Sequence, residues 1–320
     1  MYFVGEFFYL LFLNIGGYKM EMKVKELVKH ALSLDDNVSV TNIRRAGGMT
    51  NLNYYVTIDS EDYIVRLPGH GTGELVNRRM EKANLEFATA LGINPELMYF
   101  NVDSGMKITK KIKEAMTLTP ELAKNKSMIE KVAKIFQTLH QTEKEMDNEF
   151  KLFELTNHYK KLVGEVNPFI LEKFEMLDKD LVKLKKRFLY MKGITQVPCH
   201  IDPDHTNFLI DEQERVYLID WEYSGMFDPL WDIAAFSLEC EFTENEELTF
   251  LAAYFQRETK EEELERMLMH KIFQDYLWSL WTFYKEAQGD DFGSYGMLRL
   301  KRAKENMQLF HETFNRTEAG

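Results

Sequence analysis

Apolar residues along this chain change rhythm near residue 112. Before that point, period-two alternation dominates. Leu52–Ile58 and Tyr63–Leu67 place side chains in and out by turns across a polar turn at Asp59–Asp62, as half-buried strands do. Val38–Ala46 supplies a strand ahead of them, and Glu96–Phe100 with Met106–Thr109 form a second hairpin around Asp103-Ser104-Gly105. Helical spacing marks Val24–Leu34 (Val24, Leu27, Val28, Ala31, Leu32) and Asn77–Leu91 (Met80, Leu85, Ala88, Leu91). Beyond residue 117 helices take over, at about 119–124, 127–143, 151–165, 168–190, 229–238, 244–255, 260–287 and 297–315, with two short strands flanking a turn at Asp211–Glu214. The pattern predicts an α+β chain of two lobes. Residues 23–112 form a small five-stranded antiparallel lobe with one helix between the third and fourth strands, and residues 113–320 form a mainly helical lobe. Ligand sites favour domain interfaces, which points to a cleft near Lys110–Met116.

Charge narrows the partners. Lys and Arg number 40 against 52 Asp and Glu, a net charge of −12, which argues against general binding of nucleic acid or an anionic membrane. Cys199 and Cys240 are the two cysteines, and neither stands in a metal-ligand spacing. A reducing cytoplasm is therefore expected, with no zinc and no disulfide framework. Residues 1–22 read differently from the rest. Phe3–Ile15 is apolar but too short to span a bilayer, and it lacks the basic start and cleavage site of a signal peptide. Gly16-Gly17 is encodable by a ribosome-binding sequence just ahead of Met20. We read the segment as a translated leader with the start at Met20 or Met22; the rival is a hydrophobic tail that anchors or pairs chains.

The richest chemistry lies between Cys199 and Asp232, CHIDPDHTNFLIDEQERVYLIDWEYSGMFDPLWD. It holds His200, Asp202 and Asn207 in an H-x-D-x-x-x-x-N run, then an apolar strand ending in Asp220. Phosphoryl transfer needs a carboxylate to orient the attacking hydroxyl and oxygen ligands to hold Mg²⁺ on the nucleotide phosphates. By the general kinase pattern Asp202 takes the base position, and Asn207 and Asp220 the metal positions. In the small lobe, Gly47-Gly48-Met49-Thr50-Asn51 links two strands. Its backbone N–H groups suit a phosphate cover, and a plain hairpin turn accounts for it equally. Arg66 ends a strand where kinases carry a Lys, and Glu81, fifteen residues on, is its candidate partner, with Glu86 as competitor. Gly69–Gly73 reads as a strand–helix connection. Trp278 and Trp281, three apart, share a helix face, with Phe292 and Tyr295 after a turn at Gly289–Asp291. Such a set suits a quaternary ammonium, which donates no hydrogen bond and is held by aromatic faces and a carboxylate; an aromatic core stripe is the plainer account.

Taken together, GGMTNLNY (47–54), YIVRLPG (63–69), ELMYF (96–100), LIDWEYSGMFDPLWD (218–232) and LWSLWTFYKEAQGDDFGSYG (277–296) resemble the choline/ethanolamine kinases, in particular their bacterial lic-type members, within a wider group that includes the aminoglycoside phosphotransferases. The resemblance covers roughly residues 23–312. It implies a protein-kinase-like fold, ATP and Mg²⁺ as cofactors, and phosphorylation of choline to phosphocholine. Asp202 is then the base, and Asn207 and Asp220 the metal ligands. Gly47, Gly48, Thr50, Asn51, Arg66 and Glu81 bind nucleotide, although many relatives carry Lys at the position of Arg66. Asp204, Glu222, Glu239, Trp278, Trp281 and Tyr295 bind substrate, with Glu239 resembling the family's ammonium-binding acid. Ethanolamine or an aminoglycoside is the alternative substrate, and a non-catalytic choline-binding protein the alternative class. A small molecule is the expected partner, with no nucleic acid and no membrane.

Overall fold

The computed structural model describes residues 17–47, 51–68 and 77–314. Two compact units share the chain. The first runs to Leu118 and includes Thr206–Ser224; the second comprises Thr119–His205 and the chain from Gly225 onward. Of residues 1–22, read as a leader or tail, 1–16 lie outside the described residues, as do Gly48 and Thr50, while 17–22 begin a helix.

In the first unit five antiparallel strands stand in the order β1-β2-β3-β5-β4. They are β1 (Val40–Arg45), β2 (Leu52–Ile58), β3 (Glu61–Leu67), β4 (Leu97–Phe100) and β5 (Lys107–Lys110). Alternation decides the two faces. Tyr54, Val56, Ile58, Val65, Leu67 and Ile108 turn to a core shared with Val24 and Val28 of α1 (Gly17–Ala31). The intervening positions, among them Asn53, Arg66 and Lys107, point to the opposite face. Helix α2 (Arg78–Ala90) follows β3, its N-terminus capped by Asn77, whose side chain accepts from the Arg79 and Met80 N–H groups. A second, three-stranded sheet joins β6 (Met116–Thr117), β8 (Phe208–Ile210) and β9 (Val216–Leu218). The β8–β9 turn is built on Asp211, whose Oδ1 accepts from the N–H groups of Gln213 and Arg215, each at 2.9 Å.

The second unit is helical: α3 (Pro120–Ala123), α4 (Lys126–His140), α5 (Leu152–Val166), α6 (Glu175–Tyr190), α7 (Leu230–Glu239), α8 (Glu244–Phe255), α9 (Glu261–Ala287) and α10 (Tyr295–Phe314). The helix expected over 168–190 is divided, its first seven residues winding as a 3₁₀ segment, Pro168–Phe174. Phe136, Phe236 and Phe250 are fully buried and pack ring on ring. One short sheet, β7 (Val197–Cys199) with β10 (Gly225–Phe227), leads into the segment from His200 to Asn207. A Cβ on Gly225 would lie 2.7 Å from Asn148 Nδ2 and 3.0 Å from the Phe150 nitrogen, so no larger residue fits there. Among the described residues no helix is long and apolar enough to cross a membrane.

Candidate active site

Two clusters of chemistry stand out, one in each unit. In the first, Arg66 lies directly across from Lys107 on β5. Glu81, in the first turn of α2, takes one guanidinium on each oxygen: Arg66 at 2.5 Å and Arg78 at 2.6 Å. Glu86 is turned away and pairs with Lys82 at 3.6 Å. Asp220 Oδ1 lies 3.5 Å from Arg66 and 3.8 Å from the Lys107 ammonium. Glu222 Oε2 is 3.8 Å from both Arg66 and Arg78. Burial, with Asp220 close by, raises the Glu222 carboxyl to about 8, so it holds its proton at neutral pH. Burial and then the Arg66 charge lower the Lys107 ammonium.

Backbone geometry aims these groups. Asp220 adopts a left-handed conformation, φ +69°, which is rare for a residue with a side chain. The turn that contains it is tied down on both sides. Ile219 N–H donates to Asn207 O at 2.9 Å, and Trp221 Nε1 donates to Asn94 Oδ1 at 3.2 Å and to Leu218 O at 3.0 Å. Asn84 Nδ2 donates to Ser224 O at 2.9 Å. A cavity of about 250 Å³ opens beside the cluster, lined by Asn51, Arg66, Lys107, Thr109, Ile219 and Asp220 among others. Gly47 lines it too, its carbonyl accepting from Asn53 Nδ2 at 2.9 Å. Oxygens of Glu81, Asp220 and Glu222 lie within 4.8 Å of one another. Both Glu81 oxygens are taken by guanidinium groups and Glu222 keeps its proton, so Asp220 is the carboxylate of the three suited to a hard cation such as Mg²⁺.

The second cluster surrounds Asp202. Ile201, just before it, is left-handed at φ +76°, a costly conformation for a β-branched residue. Asp232 on α7 holds it there. Its carboxylate accepts the N–H groups of His200 at 2.7 Å and Ile201 at 2.8 Å, while Trp231 Nε1 donates to Ile201 O at 2.8 Å. His140 Nε2 also meets Asp232, at 3.1 Å, and its Nδ1 meets the Tyr254 hydroxyl at 2.9 Å. Because a carboxylate only accepts, Nε2 is the donor to Asp232. Asp228, the other acid of the DPLWD motif, accepts from Leu230 N–H at the start of α7 and pairs with His270 at 2.8 Å. Asp232 is scaffolding for the loop, while Asp228 ties the start of α7 to His270 of α9. Asp204 N–H closes a tight turn onto Asp202 O at 2.9 Å.

On α9 the rings of Trp278 and Trp281 meet edge to face, centroids 6.3 Å apart, and Phe292 packs on Trp281 at 5.1 Å. Tyr295 opens α10, its N–H bonded to Phe292 O. Burial raises its phenol, and the charges of Asp202 and Asp204 raise it further. Glu239 ends α7 and is engaged by Arg299 of α10. Arg299 also donates to Asp275 at 3.0 Å and lies over the Tyr295 ring, 4.7 Å from its centroid. Burial, with Arg302 close by, pulls its guanidinium down to about 9, still charged at neutral pH.

Glu222, expected among the substrate-binding residues, thus stands against Arg66 and Arg78. Glu239 stands in an ion pair. Lys107, Arg78 and Arg299 were not singled out from the sequence, and Asp232 was part of its motif without a role, although parity along β5 puts Lys107 on the Arg66 face.

The fold is protein-kinase-like, as in the solved choline kinases. Sequence comparison narrows this: the model of the choline/ethanolamine kinase family matches residues 41–304, and the chain belongs to that family. Protein LicA of Haemophilus influenzae is 31% identical over 267 residues, covering 80% of this chain and 77% of that protein. The crystal structure of choline kinase LicA from Streptococcus pneumoniae superposes with a TM-score of 0.77 at 40% identity, over 90% of this chain and 99% of that one. A crystal structure of LicA in complex with AMP gives 0.79 at 40% identity, over 91% and 99%.

Proposed function

We propose that this chain transfers the terminal phosphoryl group of ATP to the hydroxyl of choline, giving phosphocholine. The observation that carries the reading is the aromatic group of Trp278, Trp281 and Phe292, followed by Tyr295, which feels the charges of Asp202 and Asp204, in a chain similar to a choline kinase. Aromatic faces are the natural receptor for a methylated ammonium, each contact contributing roughly 0.5–2 kcal/mol.

In this reading Asp202 accepts the hydrogen of the choline hydroxyl and aims its oxygen at the phosphorus, with the loop held rigid by Asp232. Arg66 and Lys107 take phosphate oxygens, and Glu81 fixes the Arg66 fork. Asn207 and Asp220 would hold Mg²⁺, which when bound neutralises phosphate charge. The protein's contribution is positioning and preset electrostatics. Both cysteines are free thiols, which suits a reducing cytoplasm.

The test is ADP release with choline and with ethanolamine on one preparation. Choline is expected to give the higher kcat/KM, and Asp202→Ala is expected to lower kcat by at least about a thousandfold while choline binding persists. Preference for ethanolamine would reassign the substrate. Absence of ADP release with either would leave an aminoglycoside kinase or a binding protein.

A further inference from the structure

We propose that the outer face of α6, with the 3₁₀ segment ahead of it, docks on an anionic lipid bilayer. The proposal stands apart from the choice of alcohol substrate.

Exposure singles this face out. The five most exposed large apolar side chains among the described residues are Phe169 (77%), Met176 (80%), Val182 (71%), Leu189 (62%) and Tyr190 (76%). All five fall in one stretch of chain, where folding alone would have turned some of them inward. The last four lie on one side of α6, at helical spacing, and Lys179, Lys183 and Lys186 alternate with them there. Leu177, Leu184 and Phe188, on the opposite side of the helix, are buried. From Met176 to Tyr190 the stripe runs about 20 Å at the helical rise per residue.

Charge says what covers it. Lys173, Lys179, Lys183, Lys186 and Lys192 are exposed and make no ion pair among the described residues. The nearby acids are mostly engaged further in. Asp178 is taken by Lys160 at 2.5 Å and by the Tyr276 hydroxyl, and Asp180 lies 3.6 Å from His311. Glu172 and Glu175 are the exposed acids of the stretch, so the surface is locally cationic. The chain as a whole carries −12, but salt screens exposed charges beyond about 8–10 Å, and the patch acts on its own neighbourhood. Apolar side chains interleaved with lysines suit a lipid surface. The acyl boundary accepts the apolar atoms without a shaped pocket, and the lysine stems reach to the headgroup phosphates. A second copy of the same face would instead set lysines against lysines.

The experiment is flotation of the full chain with unilamellar vesicles, of phosphatidylcholine alone or with about one-third phosphatidylglycerol, at low and at high salt. Binding to the anionic vesicles is expected to be at least about tenfold tighter, since each lysine at such a surface contributes about fivefold, and to weaken as salt rises. Lys183→Glu combined with Lys186→Glu should lower anionic binding by at least about tenfold. Val182→Ser combined with Leu189→Ser should lower it by about tenfold through lost apolar burial. These positions are exposed and distant in role from the phosphate and substrate groups, so the melt and ADP release in vesicle-free solution should match the parent in both. Equal binding to the two vesicle types, or no flotation of the parent, overturns the proposal. So does anionic binding unchanged in either double variant, which would put the contact elsewhere in the chain. A dimer seen by sedimentation velocity, lost in the serine variant and unaccompanied by flotation, would give the face to a second copy and overturn it as well.

Discussion

A carboxyl that keeps its proton at neutral pH makes a measurable imprint on stability. Glu222 titrates near 4.5 when unfolded and near 8 in the fold. Below the lower value both states are protonated. As pH rises from about 4.5 to about 8 the unfolded chain sheds the proton while the folded one retains it, so stability drains away over that window and then levels. In metal-free buffer Glu222→Gln should therefore gain on the parent steadily from pH 5 to 8, as read by denaturant unfolding at each pH; a flat difference would contradict the buried, neutral acid. Single residues were unevenly legible in the sequence. Asp202, Asn207, Asp220 and the Arg66–Glu81 pair were candidates by spacing alone. Arg299 was hidden, because RLKRAKEN reads as a solvated face. The clue was its place in a buried stripe of helical period, Gly296, Arg299, Leu300, Ala303, Met307 and Phe310.

Elements were legible in proportion to their length. The seven-residue strands β2 and β3 have room to alternate, and their bounds came out close. β7 and β10 are three residues each, too short to show a period, and what defines them is pairing with each other across a gap in sequence. The same non-local logic governs the loop that carries Asp202, whose shape is dictated by α7. Asp232→Asn leaves one acceptor where two backbone N–H groups and His140 now converge. It should cost roughly 2–3 kcal/mol of stability and lower kcat more than it raises the KM for ATP. Thermal melts and steady-state kinetics on the same variant check both, and an unchanged kcat would show that the loop holds its left-handed Ile201 unaided.

Across the whole molecule, the chain leaves its first unit after Leu118, returns for Thr206–Ser224, and leaves again. That return was invisible in the sequence, where the change of rhythm near residue 112 looked final. It reflects tertiary pairings: β6 on β8, Leu118 N–H on Phe208 O, and Trp221 on Asn94. A fragment ending at Leu118 lacks all of these partners and should show no cooperative melt by circular dichroism; a sharp transition would mean the sheet and α1 suffice. The return also bears on how the protein is made. Arg66 emerges from the ribosome 154 residues ahead of Asp220, and Lys107 also precedes it, so for that interval the nascent sheet carries its cations with Glu81 as their native counter-charge among the described residues. Completion of the first unit is thus deferred until translation has passed well into the second half of the message.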